Sequence, residues 1–290
     1  MRITRLWTKI FVLLAVMVFA FPSDASARKK SEQVKTIKIL AIGNSFSQDA
    51  IEQNLWEIAH ADNINLIIGN LYYGGCSLEQ HWQFLTNGLY NYQYRKVVDG
   101  VKTDTPKYSL PMALEDEEWD YISFQQASHF SGMPLTYEPY LEELMTYVRS
   151  KCKKKTKFIF HSTWAYSKDS KHQDFPKYGC SQEQMFNDII KTTEDVMDNY
   201  PINILVPAGT AIQNARTSKL GDTLNRDGYH LQLVYGRYTA ACTWYEALFH
   251  KPVIGNTYSP KGITEAQKHI AQEAAHAAVK KPYKVTVISD

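Results

Sequence analysis

A serine stands where a buried strand of this sequence is expected to end. The apolar run at residues 39–42 stops at Gly43, and Ser45 follows just before a segment with helical spacing. A serine hydroxyl at such a place either caps the helix or attacks an electrophilic carbon as a nucleophile. Ser47 is the better capping candidate and Asp49 adds favourable charge near the helix start, which leaves Ser45 available for chemistry.

An aspartate and a histidine stand three residues apart in a loop far downstream. Asp227 and His230 lie within the segment NRDGYHL, just before another stretch with helical spacing. A histidine takes the proton of a serine hydroxyl and a carboxylate orients that histidine, so this pair is the partner that a nucleophilic serine needs. A lone histidine is usually an ordinary surface residue, but an aspartate at this offset in a glycine-containing loop favours the pair.

The cysteines offer a different chemistry. Cys76 is an alternative nucleophile, but no second histidine–carboxylate pair stands out to activate its thiol. The four cysteines allow three complete disulfide pairings, among which the sequence does not choose. No two of them have the close spacing of a zinc site, so the sequence predicts no metal and no cofactor. The cysteines are Cys76, Cys152, Cys180 and Cys242.

Apolar, β-branched runs alternate with segments of helical spacing along the chain. This alternation predicts a mostly parallel five-stranded sheet with helices on both faces, a three-layer α/β/α sandwich. A polar and aromatic interval at about 90–110 contains the dipeptide Asp99-Gly100 and predicts an inserted β-hairpin. The runs are residues 36–42, 65–72, 121–124, 157–161 and 203–207, and the helical segments are 50–60, 139–152, 182–199, 231–248 and 264–279.

The residues that could do chemistry follow the ends of these strands. Ser45 follows the first strand, Gly74-Gly75 the second, and Gln125-Gln126 the third. In open parallel sheets, ligands bind beyond the carboxyl ends of the strands. We therefore expect a hydroxyl, glycine amides, a carboxamide and the Asp–His pair to meet at one edge.

Two short blocks, in this order, resemble those of the SGNH/GDSL hydrolase superfamily. Gly43-Asn44-Ser45-Phe46 looks like a variant of the Gly-Asp-Ser-Leu block, and Asp227-Gly228-Tyr229-His230 is similar to the closing Asp-x-x-His block. The resemblance covers about residues 36–250. It implies a flavodoxin-like α/β/α fold and a divergent branch of the superfamily.

The resemblance also implies a role for each matched position. Ser45 would be the nucleophile, His230 the base and then the acid, and Asp227 the residue that orients the imidazole. The amides of Ser45 and Gly75 would donate to the oxyanion of the tetrahedral intermediate.

Two departures from the family pattern affect these roles. Asn44 replaces the usual aspartate before the serine, but that residue is not the triad acid. The third oxyanion donor is usually an asparagine, and here the corresponding strand ends in ISFQQAS. We expect the carboxamide of Gln126, or else that of Gln125, to take this place.

Several further side chains are expected to form the wall of the site. They lie near the expected strand ends, and flat aromatic faces suit sugar rings, although such residues more often pack a core. These possible substrate-binding residues are Asn44, Tyr73, His129, His161 and Trp164.

The N-terminus has the pattern of a signal peptide. A basic start is followed by an apolar run at residues 10–21, too short for a comfortable membrane span, and by Ala25-Ser26-Ala27. We expect cleavage after Ala27, which leaves one domain at 28–290, no stable membrane insertion and a periplasmic or extracellular location. An uncleaved anchor is the alternative. The full chain has 32 basic and 30 acidic residues, and removing residues 1–27 balances the two, so nothing points to nucleic acid as a partner.

The sequence therefore predicts an exported serine esterase that acts on a small-molecule or glycan ester, with an O-acetyl group on a carbohydrate as the favoured substrate. A lipase or thioesterase is the nearest variant. The alternative is a catalytically inactive carbohydrate-binding protein of the same fold, which the substituted Asn44 and the Gln125-Gln126 block suggest. The sequence does not determine the identity of the acyl group, the identity of the glycan or the oligomeric state of the protein.

Overall fold

The computed structural model describes residues 36–289, and the expected signal peptide at 1–27 lies outside them. Within this part of the chain, one sheet has the strand order β4-β3-β2-β1-β5-β6-β7. The pairs β1–β2, β1–β5, β5–β6 and β6–β7 are parallel. The strands are β1 (Thr36–Gly43), β2 (Asn65–Tyr72), β3 (Tyr92–Val98), β4 (Val101–Tyr108), β5 (Tyr121–Phe124), β6 (Lys157–His161) and β7 (Ile204–Val206).

The predicted hairpin extends the sheet rather than standing apart from it, so the expected five strands become seven. Strand β3 pairs antiparallel with β2, which supplies partners for the backbone groups along an otherwise open edge. The turn is the predicted one: Asp99 and Gly100 both have positive φ, at 49° and 75°. Arg95 and Lys102 of the hairpin also form ion pairs with the buried carboxylate of Glu52, at 3.4 and 3.1 Å.

Helices cover both faces of the sheet, as the sequence predicts. Helices α1, α2, α7, α8 and α9 pack on one face, and α3, α4 and α5 on the other, while α6 contributes to both clusters. The helices are α1 (Ser45–Ile51), α2 (Leu55–Ala61), α3 (Leu78–Thr86), α4 (Leu110–Asp116), α5 (Tyr140–Lys151), α6 (Gln182–Asn199), α7 (Ala208–Arg216), α8 (Tyr235–Phe249) and α9 (Glu265–Lys280).

The side chains of β1 explain the three layers. Ile39 and Ala41 belong to the hydrophobic cluster on one face, whereas Leu40 and Ile42 belong to the cluster on the other. Successive residues of a strand point to opposite faces, so an unbroken apolar run requires cover on both sides.

Two predicted helices differ from the structure in their bounds, and the one predicted at 231–248 begins only at Tyr235. The segment expected as a helix at 50–60 is two helices, because the chain turns at Asn54, which has a φ of 68°. The first of them, α1, begins at Ser45, five residues earlier than expected. The C-terminal segment after α9 forms no strand within the described residues.

The four cysteines are all within the described residues and none is in a disulfide. No helix between residues 36 and 289 combines the length and apolar character needed to cross a membrane.

Candidate active site

The strand register brings the predicted residues to one edge of the sheet. Gly43, the last residue of β1, is in register with Tyr72 at the end of β2, and Ile42 is in register with Phe124 at the end of β5. The chain leaves all three strands at this carboxyl-terminal edge, which therefore carries Ser45, the Gly74-Gly75 turn and Gln125.

Ser45 is the first residue of α1, and Asn44 is the helix cap. The Asn44 carboxamide oxygen accepts from the Phe46 amide at 2.9 Å, and the Ser47 hydroxyl accepts from the Asn44 amide at 3.0 Å. The expectation that Ser47 is the cap is therefore wrong, although Ser47 takes part in the capping box. The Ser45 hydroxyl is still not needed to cap the helix, so it remains available for chemistry as expected from the sequence.

Asp227 and His230 form the expected pair. The distance between Asp227 Oδ2 and His230 Nδ1 is 2.7 Å, and Asp227 Oδ1 accepts from the backbone amides of Tyr229 and His230 at 3.2 and 2.8 Å. Burial alone would raise the pKa of Asp227, but the hydrogen bonds from His230 and Tyr229 hold that pKa below its ordinary value. The carboxylate is therefore ionised and fixes the orientation of the imidazole.

Two hydrogen bonds from neighbouring segments fix the loop that carries Asp227 and His230. The indole of Trp164 donates to the carbonyl of Tyr229 at 2.7 Å, and the Ser167 amide donates to the carbonyl of Gly228 at 2.8 Å. Gly228 has a φ of 92°, and a Cβ there would lie 2.9 Å from the Cα of Ser170, so only glycine fits.

Asp49 joins this loop to the helix that carries Ser45. Its fully buried carboxylate accepts from the Leu231 amide at 2.8 Å and forms ion pairs with Arg226 and Arg237 at 2.9 and 2.7 Å. Ser45 and Asp49 are four residues apart on α1 and so share one face of the helix. The contact of Asp49 with Leu231 places the neighbouring His230 beside the start of α1.

A ring contact supports the same placement. The rings of Phe46 and His230 have centroids 6.1 Å apart. In the described structure the Ser45 side chain takes part in no hydrogen bond, with His230 or with another group. Catalytic hydrogen bonds of unliganded enzymes are often long and tighten only when substrate binds.

The two glutamines after β5 differ sharply. The carboxamide of Gln126 is fully engaged elsewhere: its oxygen accepts from the amides of Leu78 and Ala127, and its nitrogen donates to Thr136. The prediction that favoured Gln126 as oxyanion donor is therefore not supported by its contacts.

Gln125 is the glutamine that faces the start of α1. Its nitrogen donates to Asn44 Oδ1 at 2.7 Å, and its oxygen lies 2.9 Å from His161 Nδ1. A carboxamide nitrogen carries two hydrogens, so the almost fully buried Gln125 keeps one donor hydrogen that Asn44 does not use. Asn44 also donates to the carbonyl of Cys76 at 3.0 Å, so one buried side chain connects the ends of β1, β2 and β5.

The other side chains expected to line the site differ in how deeply they are buried. Asn44, His161 and Trp164 are almost fully buried, so their burial does not favour a contact with substrate, and their assignment to the wall stays a prediction. Trp164 stacks on Phe46, with centroids 4.3 Å apart, and belongs to the core beneath the site. Tyr73 and His129 are partly exposed and stay candidates for the wall.

Cys76 takes no part in the proposed chemistry. Cys76 is fully buried and burial raises the pKa of its thiol, so Cys76 does not compete with Ser45 as the nucleophile.

A groove of about 770 Å³ lies between α5 and α6, but Ser45, Asp227 and His230 are not among its lining residues.

The sequence analysis missed the role of Asp49 and of its two arginine partners. Asp49 was interpreted as a charge at a helix start, and Arg226 stands next to Asp227 without any pattern that links it to Asp49. A buried carboxylate requires paired cations, but Asp49 and Arg226 are 177 residues apart in the sequence, so the pairing leaves no local signal.

The family of the chain is decided by a match over most of its length. The family model described as "Domain of unknown function (DUF4886)" matches residues 38–278. The chain belongs to the DUF4886 family. None of the curated proteins matches this DUF4886 chain.

Solved structures agree with this assignment. The crystal structure of a DUF4886 family protein from Bacteroides uniformis ATCC 8492 is 51% identical, covers 88% of this chain and 98% of that chain, and has a TM-score of 0.86. A putative SGNH hydrolase from Slackia heliotrinireducens is 18% identical, covers 74% of this chain and 100% of that chain, and has a TM-score of 0.50. The second likeness shows the fold: this DUF4886 chain has the mostly parallel α/β architecture of SGNH hydrolases.

Proposed function

We propose that the protein is a serine esterase whose triad is Ser45, His230 and Asp227. The observation that carries the proposal is the Asp227–His230 pair, held by Asp49 against the helix that begins at Ser45. The SGNH hydrolase fold supports a hydrolase in general, and the three side chains supply the ester chemistry.

The reaction would proceed through an acyl-enzyme. His230 Nε2 takes the proton of Ser45 as Oγ forms a bond to the ester carbonyl carbon, and the carbonyl oxygen becomes an oxyanion. The tetrahedral intermediate then breaks the bond to the alcohol oxygen, which receives the proton from His230. Water repeats the sequence on the acyl-enzyme, with His230 as base and then acid, and releases the carboxylic acid and free Ser45.

The oxyanion would be stabilised by donors fixed in advance. The backbone amides of Ser45 and Gly75 and the side-chain nitrogen of Gln125 are the three groups that we assign to this role. Gly75 is exposed and has a φ of 68°, a conformation that suits glycine, and the Asn44–Cys76 hydrogen bond holds the next residue of its turn. One such donor contributes about 3–4 kcal/mol to the stability of a transition state.

An acyl group, in particular acetyl, on a carbohydrate is the substrate class that we favour. The expected signal peptide suggests an exported enzyme that meets glycans outside the cytoplasm. Partly exposed rings near the site, Tyr73, His129 and Tyr229, suit the flat faces of sugars.

A glycan-binding protein without catalysis is the second candidate. The observation that favours it is the Ser45 side chain, which makes no hydrogen bond to His230 within the described structure. Such a protein would use the same partly exposed rings and would not depend on the serine hydroxyl.

Hydrolysis of p-nitrophenyl acetate and of acetylated oligosaccharides separates the two candidates. The esterase should release p-nitrophenol and acetate, and Ser45→Ala should abolish both, while the exposed Ser259→Ala serves as the matched control. An absence of turnover, combined with equal glycan binding by the wild type and Ser45→Ala, would establish the binding protein instead.

A further inference from the structure

Three potential metal ligands converge at the carboxyl-terminal edge of the sheet. His129 follows β5, in the short helical turn Ser128–Phe130, whereas His172 and Asp174 come from the loop between β6 and α6. One possible ligand atom from each residue lies within 4.8 Å of the other two. The imidazole rings are nearly parallel, with an interplanar angle of 22° and centroids 6.0 Å apart.

The ionisation of these groups suits a cation. Burial lowers the pKa of both His129 and His172, so the two rings are neutral near pH 7 and keep a free nitrogen lone pair. A hydrogen bond from Lys177 holds the pKa of Asp174 below its ordinary value, so the carboxylate is charged. Metal ligands have to be deprotonated, and the direction of all three pKa shifts favours that state.

The contacts of individual atoms show which of them already have partners within the protein. Lys177 lies 2.8 Å from Asp174 Oδ1, while Oδ2 lies 3.8 Å from His172 Nδ1. That nitrogen accepts a 3.2 Å hydrogen bond from the Asp174 amide, so it carries the lone pair and the proton is on Nε2. A cation would replace this long hydrogen bond at Nδ1.

We propose that His129, His172 and Asp174 form a binding site for a divalent transition-metal ion such as Zn²⁺. Two imidazoles and one carboxylate are a donor set that zinc uses, with a position left for water or substrate. Bonds of about 2 Å to one ion would require the ligand atoms to lie closer together than the 4.8 Å that bounds their present separations.

The metal site would stand beside the proposed esterase site. The ring of His172 meets that of Tyr229 edge-on at 4.8 Å, and the Tyr229 ring lies 4.2 Å from that of His230. The ion would cross-link the loop after β5 to the loop after β6, two of the segments that border the site. The inference concerns metal binding alone and does not depend on the esterase proposal.

Isothermal titration of the chelator-treated protein with ZnCl₂ tests the site. We expect one Zn²⁺ per chain, with an affinity that falls at least about tenfold in His172→Ala and in Asp174→Asn. The exposed His269→Ala is the matched control and should bind as the wild type does. Ser45→Ala should bind Zn²⁺ as the wild type does. Zn²⁺ binding is therefore measured independently of esterase activity, and a failed esterase assay would not change its interpretation.

Thermal unfolding with and without Zn²⁺ gives a second readout if a variant loses stability. A cation that binds only the folded protein raises its unfolding temperature, and this rise should disappear in Asp174→Asn, which keeps the side-chain shape. Absence of binding to the wild type at millimolar Zn²⁺, or equal affinity in the wild type and both site variants, would overturn the proposal.

Discussion

At the scale of single residues, two adjacent glutamines have opposite roles. Gln126 Oε1 accepts from the amides of Leu78 and Ala127, whereas the Gln125 carboxamide lies between Asn44 and His161. The first arrangement stabilises a turn, and the second leaves a donor facing the start of α1. Of these two adjacent residues, Gln126 therefore has a structural role and Gln125 has the proposed chemical role.

Alanine substitutions should separate these roles. Gln125→Ala removes the proposed third oxyanion donor, so we expect kcat for p-nitrophenyl acetate to fall about 100-fold with a smaller change in KM. Gln126→Ala should instead lower the unfolding temperature and leave kcat per folded molecule within about threefold, because it removes only hydrogen bonds that hold the turn. Equal losses of kcat in the two variants would contradict the assignment.

The residues of the proposed triad could be found from the sequence, whereas the residues that support them could not. Ser45, Asp227 and His230 follow a strand end and a glycine-containing loop, which are local patterns. The choice between Gln125 and Gln126 depends on how the chain turns after Phe124, and the alternation of a strand no longer applies there.

At the scale of elements, α1 and the Asp227–His230 loop act as one unit. Asp49 has no exposed side-chain surface and holds Leu231, Arg226 and Arg237. Removing one partner of a buried ion pair leaves an uncompensated charge and costs about 3–5 kcal/mol.

Asp49→Asn tests this link between the two elements. The variant keeps the side-chain shape but loses the charge that the two arginines require, so we expect a lower free energy of unfolding and a fall in kcat larger than the change in KM. Urea unfolding and steady-state kinetics measure the two effects, and the exposed Asp198→Asn is the control. Normal kcat in a destabilised Asp49→Asn would show that Asp49 supports the fold without positioning His230.

The elements themselves were largely predictable, and the exceptions have physical causes. The bounds of β2, β5, β6 and α6 agree with the sequence patterns, because the three strands are short, mainly apolar runs and the helix has regular apolar spacing. The helix break at Asn54 was not foreseen, because an asparagine with positive φ has no distinct pattern in a polar stretch. The pairing of β3 with β2 depends on an open sheet edge, which appears only once the sheet is assembled.

At the scale of the whole molecule, two buried histidines make stability depend on pH. His81 and His161 are fully buried, and burial lowers the pKa of each to about 3. In the unfolded chain a histidine has a pKa of about 6.5. Between these two values the unfolded state binds more protons than the folded state, so stability falls as the pH decreases through this window.

His161→Gln should reduce this dependence. The glutamine retains a donor for Gln125 but does not titrate, so the slope of unfolding free energy against pH below about 6.5 should decrease by up to about 1.4 kcal/mol per pH unit. Urea unfolding between pH 7 and pH 4 measures the slope, with the exposed His269→Gln as control. A slope equal to that of the wild type would show that His161 does not resist protonation in the folded protein.

The central claim is that Ser45 is an activated nucleophile, and an active-site-directed fluorophosphonate tests it most directly. Mass spectrometry of the labelled and digested protein should show one adduct per chain on the peptide that contains Ser45. Ser45→Ala should remain unlabelled, and His230→Gln should be labelled far more slowly, because it lacks the base that removes the hydroxyl proton. A wild-type protein that stays unlabelled, or an adduct that persists in Ser45→Ala, would contradict the account.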